Sequence, residues 1–214
     1  MITAEWCHRL DETDELSFLK GRFDLPPGVY LDGNSLGPRP TSVKARIDEL
    51  LDQWGSSLIA GWFDYDWVDL PRKVGAKLEP IIGAEPGSVV ACDSTTVNLY
   101  KAAQAACRLR PGPLLTDSGN FPTDLYVLAE VARRSDRDLR VVKPEDLLEA
   151  ITAETAMVAV TQVDFGTGRL HDLGAITSRI HGVGGLVVVD LSHSAGVMPI
   201  DVSTNNVDLA VGCG

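Results

Sequence analysis

An aspartate and a histidine stand together at the end of an apolar run, where Asp190-Leu191-Ser192-His193 follows Leu186-Val187-Val188-Val189. In an open α/β sheet, ligands lie beyond the carboxyl ends of the strands, so such an Asp sits where the sheet opens onto its ligand crevice. Burying an aspartate is unfavourable unless it is paired, and the plainer alternative is an Asp and a His satisfied within the fold. Three further segments follow strand-length runs in the same way. Asp93-Ser94-Thr95-Thr96 precedes a helical stretch; hydroxyls and free N–H groups at a helix start suit a phosphate, and the same residues serve as ordinary N-caps. Gly119-Asn120-Phe121-Pro122-Thr123-Asp124 offers a ring to stack on a planar ligand and a carboxylate three residues on. Equally, Thr123 or Asp124 only begins the next helix. Residues 161–168 (TQVDFGTG) turn polar directly after an apolar strand, and a tight turn explains their glycines equally well.

Two earlier segments also carry candidate groups. Residues 31–37 (LDGNSLG) are turn-rich and polar, with an ordinary loop as the alternative. Residues 61–67 (GWFDYDW) concentrate two of the four tryptophans and a tyrosine, with an aromatic packing cluster as the alternative. The four histidines show no metal-ligand spacing, and no metal site is expected. Cys7, Cys92, Cys107 and Cys213 are scattered, so a CxxC site is excluded and four reduced thiols are expected.

The elements that must position these groups alternate in type. Strands are expected at residues 89–93, 114–117, 139–142, 157–163, 186–191 and 209–212, several as near-continuous apolar runs typical of strands buried on both faces. Helices are expected at 97–107, 123–134, 144–151 and 173–181. This alternation predicts an α/β fold with a mostly parallel sheet wrapped by helices. Residues 1–60 differ: an acidic amphipathic start, a Pro/Gly-rich passage and a helix over about 41–55 read as an N-terminal arm, leaving 61–214 as the large domain. The 214 residues carry a net charge of −11, against an electrostatic grip on nucleic acid or anionic lipid. No run approaches the ~20 apolar residues of a membrane span, and the start lacks the pattern of a signal peptide, so the expectation is a cytoplasmic protein.

Taken as an ordered set, these segments resemble kynureninase, a pyridoxal-phosphate enzyme family of the aspartate-aminotransferase-like fold (fold type I). The resemblance runs through YLDGNSLGP (30–38), GWF (61–63), DSTTVNLY (93–100), NFPTDLY (120–126), VDFGTG (163–168), DLSHSAG (190–196) and DLAVGCG (208–214). It implies pyridoxal 5′-phosphate as cofactor. Thr95 and Thr96 would hold its phosphate, Phe121 would stack on its ring with Pro122, Thr123 and Asp124 beside it, and Thr161 and His193 would lie near the ring. Asp190 would pair with the ring nitrogen. Asn34, Ser35 and Trp62 would face the substrate.

The implied reaction is hydrolysis of L-kynurenine or 3-hydroxykynurenine to anthranilate or 3-hydroxyanthranilate and L-alanine, in tryptophan catabolism and the supply of NAD biosynthesis. The family implies a homodimer. Its cofactor lysine belongs to a Tyr-Lys pair expected directly after Gly214, and Lys20, Lys44, Lys73, Lys77, Lys101 and Lys143 match no such position. The sheet is therefore expected to be incomplete at its C-terminal end, and the 214-residue chain alone to be inactive. The alternatives are a non-catalytic or split-subunit partner needing a second, lysine-bearing chain, and a cysteine-desulfurase relative.

Overall fold

A computed structural model describes residues 2–33 and 35–213. The chain forms two compact units, Met1–Val68 and Asp69–Gly214; the division drawn from the sequence falls shortly before that boundary. The first unit begins with α1 (Ala4–Thr13), where the Thr3 hydroxyl caps the helix by accepting from Trp6 N at 3.2 Å. A two-residue antiparallel pair follows, β1 (Phe23–Asp24) with β2 (Arg39–Pro40). Then come α2 (Val43–Ser57) and the short α3 (Gly61–Asp64). Neither α1 nor α2 buries a residue, and Trp54, Trp62 and Phe63 are exposed. The aromatic segment packs partly on itself. Trp67 lies 6.1 Å from the Tyr65 ring and so close over Gly61 that a Cβ there would come within 2.6 Å of the indole.

The second unit carries α4 (Leu70–Ile82), α5 (Thr95–Leu109), β3 (Leu114–Asp117), α6 (Pro122–Arg134) and β4 (Leu139–Val142). It continues through α7 (Leu147–Ala150), β5 (Met157–Thr161), α8 (Leu173–His181), β6 (Leu186–Asp190) and β7 (Leu209–Val211). The sheet order is β4-β3-β5-β6-β7, and every pairing is parallel. From β3 the chain steps outward to β4, crosses back past β3 to β5, and moves outward again through β6 to β7. Strand order therefore reverses between β3 and β5, which is where open α/β sheets place their ligands.

Alternation along each strand splits the apolar side chains between two layers. Leu114, Met157, Ala159 and Val188 pack with Leu99, Ala103, Leu128 and Val131 of α5 and α6. Leu115, Val158, Val160, Val187 and Val189 pack with Leu147 of α7 and Ile176 and Ile180 of α8. By the same alternation Thr116, Thr161 and Asp190 share the α5/α6 face at the strand ends, and Asp117 shares the α7/α8 face.

The strand expected at residues 89–93 does not form. Its β-branched residues suit a strand, but among the described residues no neighbouring strand lies alongside to complete a ladder. Ala91 N donates instead to Pro71 O of α4 at 3.1 Å. Gly75 lets α4 approach so closely that a Cβ would meet Val89 O at 2.0 Å. The helix α4 itself was not expected, since Pro71, Gly75 and Pro80 interrupt its pattern. Strands β5, β6 and β7 end one or two residues before their expected limits, where the polar loop groups begin.

The two-layer core makes a checkable demand. Ile180 is fully buried whereas Leu109 is 75% exposed. Replacing Ile180 by Ala should lower the unfolding free energy by about 2–5 kcal/mol in denaturant titration. Leu109→Ala should change it by less than about 0.5 kcal/mol; equal effects would contradict the assignment of the core.

Candidate active site

The carboxyl ends of β3, β5 and β6 converge with the start of α6. Asp190 closes β6 at 4% exposure, and Asp124, in the first turn of α6, is 2% exposed. Asp190 Oδ1 accepts from Ser192 N at 2.8 Å and Ser192 Oγ at 2.6 Å. The Asp124 carboxyl interacts directly with that of Asp190 and with the Thr161 hydroxyl. Burial, then the Asp190 charge and the hydrogen bond between the two carboxyls, push Asp124 up to about 7, against the opposing pull of Thr161. Two carboxylates cannot both ionise cheaply so close together in a dry site, so the pair retains a proton well above the usual carboxylate range.

Asn120 organises the rest. Its Nδ2 donates to Thr116 Oγ1 at 3.0 Å, while its Oδ1 accepts from Phe121 N at 2.8 Å and from the Thr161 hydroxyl. This ties the β3–α6 turn to the end of β5 and sets the backbone at Phe121, the residue that precedes α6. The Phe121 ring stands edge-to-face with Phe165 at 5.1 Å and with His193 at 5.7 Å. His193 Nδ1 lies 3.1 Å from Val163 O, which fixes its proton on that nitrogen. The site is thus a buried acidic pair beside a half-buried aromatic wall.

At α5, Ser94 is the N-cap, its Oγ accepting from Val97 N at 3.3 Å. That leaves Thr95 and Thr96 in the first turn, where backbone N–H groups have no partner one turn back. Asp93 takes a left-handed φ of 49° and pairs with Lys101. A cavity of about 640 Å³ joins Asp93, Ser94 and Thr95 to Leu191, Gly212 and Cys213, just beyond the ends of β6 and β7. Phe121, Asp124, Asp190 and His193 are not among its walls.

Of the residues selected from the sequence, Phe121, Asp124, Thr161, Asp190 and His193 come together. Pro122 and Thr123 open α6 beside them and are exposed, and Thr95 lines the cavity while Thr96 does not. In the first unit, Ser35 is exposed and donates to Asp32 Oδ1 at 2.7 Å, and Trp62 is 50% exposed. Asn34 lies outside the described residues. Sequence reasoning passed over Asn120, Thr116 and Phe165 as site residues, although Asn120 and Phe165 stand in the motifs it singled out.

The site's chemistry fits pyridoxal phosphate. A pyridinium N–H brings the positive charge that a proton-sharing acidic pair lacks, a flat ring matches the Phe121 wall, and a dianionic phosphate suits a helix start. The comparisons with known proteins agree. Residues 29–214 match the aminotransferase class-V family model. The chain is 41% identical over its whole length to a kynureninase of Pseudomonas fluorescens, and 40% to one of Burkholderia pseudomallei. It spans 54% of the length of each. Among solved structures, a C-DES mutant with glycine covalently linked to its pyridoxal phosphate matches with a TM-score of 0.76. That match is at 19% identity over 94% of this chain and 55% of the other. The cysteine desulfurase CsdA of Escherichia coli matches with a TM-score of 0.72 at 21% identity, over 93% of this chain and 54% of the other. At such identities the structures speak for the fold alone, and it is the fold expected from the sequence.

The raised Asp124 makes stability fall as pH rises. Between about 4 and about 7 the folded chain keeps a proton that the unfolded chain has lost, so each step upward favours unfolding. Thermal melts at about pH 5 and about pH 8 should show the lower Tm at pH 8, and Asp124→Asn should shrink that gap. An unchanged gap in the variant would contradict the shared proton.

Proposed function

Since the chain belongs to the class-V aminotransferase family, we propose that it supplies the cofactor cradle of a kynureninase that uses pyridoxal 5′-phosphate. The reaction is hydrolytic cleavage of L-kynurenine, or its 3-hydroxy form, to the corresponding anthranilate and L-alanine. The observation that carries the cofactor reading is the buried Asp124–Asp190 pair at the switch point. The substrate reading is supported by the kynureninase relatives, over the part of their length that this chain spans.

The cofactor's protonated ring, when bound, supplies an electron sink for the carbanion left by C–C cleavage. Asp190 would accept the ring N–H and keep the proton on that nitrogen. Asp124 would hand its own proton to solvent as the ring's charge replaces it. Phe121 would cover one ring face, held by Phe165 and His193, while Thr161 hydrogen-bonds at the ring edge and Pro122 and Thr123 shape the turn beside it. Thr95 and Thr96, with their N–H groups, would take the phosphate. Asn34, Ser35 and Trp62 would meet the substrate, Trp62 against its aromatic ring.

None of the six lysines matches the family's cofactor lysine, and Lys101 is engaged by Asp93. We therefore assign that nucleophile to a position outside these 214 residues. With this activity go a place in tryptophan catabolism towards NAD, a cytoplasmic location and a homodimer. The exposed apolar side chains Ile47, Leu51, Trp54 and Leu58, on and just after α2, support a partner surface.

The test uses the full-length protein that contains this chain, supplied with pyridoxal phosphate and L-kynurenine. Anthranilate, read by its fluorescence, and alanine should appear in equal amounts. Asp190→Asn should lower kcat by on the order of a hundredfold or more, as when one preorganised electrostatic partner is removed. No turnover, or sulfide release from L-cysteine in its place, would overturn the reading.

A further inference from the structure

On the opposite face of the sheet from the acidic pair, a second carboxylate ends a strand. Asp117 closes β3 at 1% exposure, and its Oδ1 accepts from Gly119 N at 2.8 Å. Its Oδ2 lies 3.1 Å from His171 Nε2, with the two side chains 2% and 10% exposed. This is an ion-pair distance, though not aligned as a hydrogen bond. His171 terminates the loop that leaves β5. Its backbone N donates to Gln162 O at 2.9 Å, and an antiparallel bridge between Val163 and Leu170 closes the loop above it. Within the loop, Asp164 Oδ1 accepts from Gly166 N at 2.7 Å and Thr167 N at 2.9 Å.

That loop touches the candidate site at two points. Phe165 carries the ring that meets Phe121 edge-to-face, and Val163 O accepts from His193 Nδ1. Its base is wedged against the β3–α6 turn. A Cβ at Gly119 would lie 2.6 Å from Asp164 Oδ2 and 3.1 Å from Asp117 Oδ1, so a larger residue there would push these carboxylates aside. His171 is the one loop side chain that reaches a buried charged group of the turn, among the ion pairs of the described residues.

We propose that His171 is a positioning residue: through Asp117 it pins the 162–171 loop to the β3–α6 turn, and so fixes Phe165 and Val163 O, which orient Phe121 and His193. The cofactor part of this inference rests on the proposed function. The loop part stands on the geometry alone.

The experiment compares His171→Leu, His171→Gln and Asp117→Asn in the full-length protein by two readouts. Hydrogen exchange of the ligand-free protein should show the 163–170 amides exchanging on the order of tenfold faster or more in His171→Leu, as expected when a buried polar contact is lost. The amides of β6 should be unchanged. The induced circular dichroism of added pyridoxal phosphate should fall in His171→Leu. His171→Gln should recover both signals, since its amide donates from near the imidazole Nε2. Asp117→Asn keeps an acceptor for Gly119 N and should reproduce the effects of His171→Leu, which covers the case of a leucine variant that does not fold. Unchanged loop exchange would overturn the proposal. So would faster exchange with an unaltered dichroism, which would make the contact a loop tether only. An absent cofactor signal in the unaltered protein would instead sink the proposed function, and the exchange comparison would still decide whether His171 holds the loop.

Discussion

Two carboxylates buried against each other, Asp124 of α6 and Asp190 of β6, are the constraint on which the site depends. Left alone they repel, so the ligand-free protein keeps a proton between them at pH values where carboxylates are ordinarily ionised. Such an arrangement is unfavourable for folding and survives because the surrounding core supplies the stability. It becomes favourable when a cationic partner replaces the proton. A ligand with a positively charged ring offsets the cost of burying the pair, and that relief adds to its affinity.

The fold explains how two such groups meet. The reversal of strand order between β3 and β5 opens a crevice at the carboxyl ends, and the two-residue period of β3, β5 and β6 turns Thr116, Thr161 and Asp190 to the α5/α6 side. The first turn of α6 then delivers Asp124 to the same side, with Asn120 bracing the turn by hydrogen bonds to two strand-end threonines. The opposite period places Asp117 under the other helix layer, where it meets His171 instead. A single sheet thus sorts two strand-end aspartates into different tasks by one residue of register.

Much of this was legible in the amino-acid order. Runs such as Val187-Val188-Val189 have no polar face to offer water, so burial in a parallel sheet follows from them directly. Asp190 and His193 were legible as candidates because polar groups at the end of such a run stand where open sheets bind ligands, although the same pair could have been satisfied within the fold. Residues 89–93 misled because strand propensity is satisfied only by a partner, and the segment bonds to α4 instead. The helix α4 was hidden by its own Gly75, whose role is to let the helix touch Val89, a packing fact with no periodic signature. The encounter of Asp124 with Asp190 was equally out of reach from composition and spacing. It joins residues far apart in the chain, and the ordered set of motifs put both near the cofactor without setting one against the other. The contact between His171 and Asp117 lacked even that, since neither residue marks itself by local pattern.

The most direct test of the account is a carbon-13 NMR titration of the Asp124 carboxyl in the ligand-free protein. The account predicts a midpoint near 7, lowered in Asp190→Asn, where the neighbouring charge is gone, but still raised there because burial remains. A midpoint of about 4 in the unaltered protein, the value of a solvated aspartate, would contradict it.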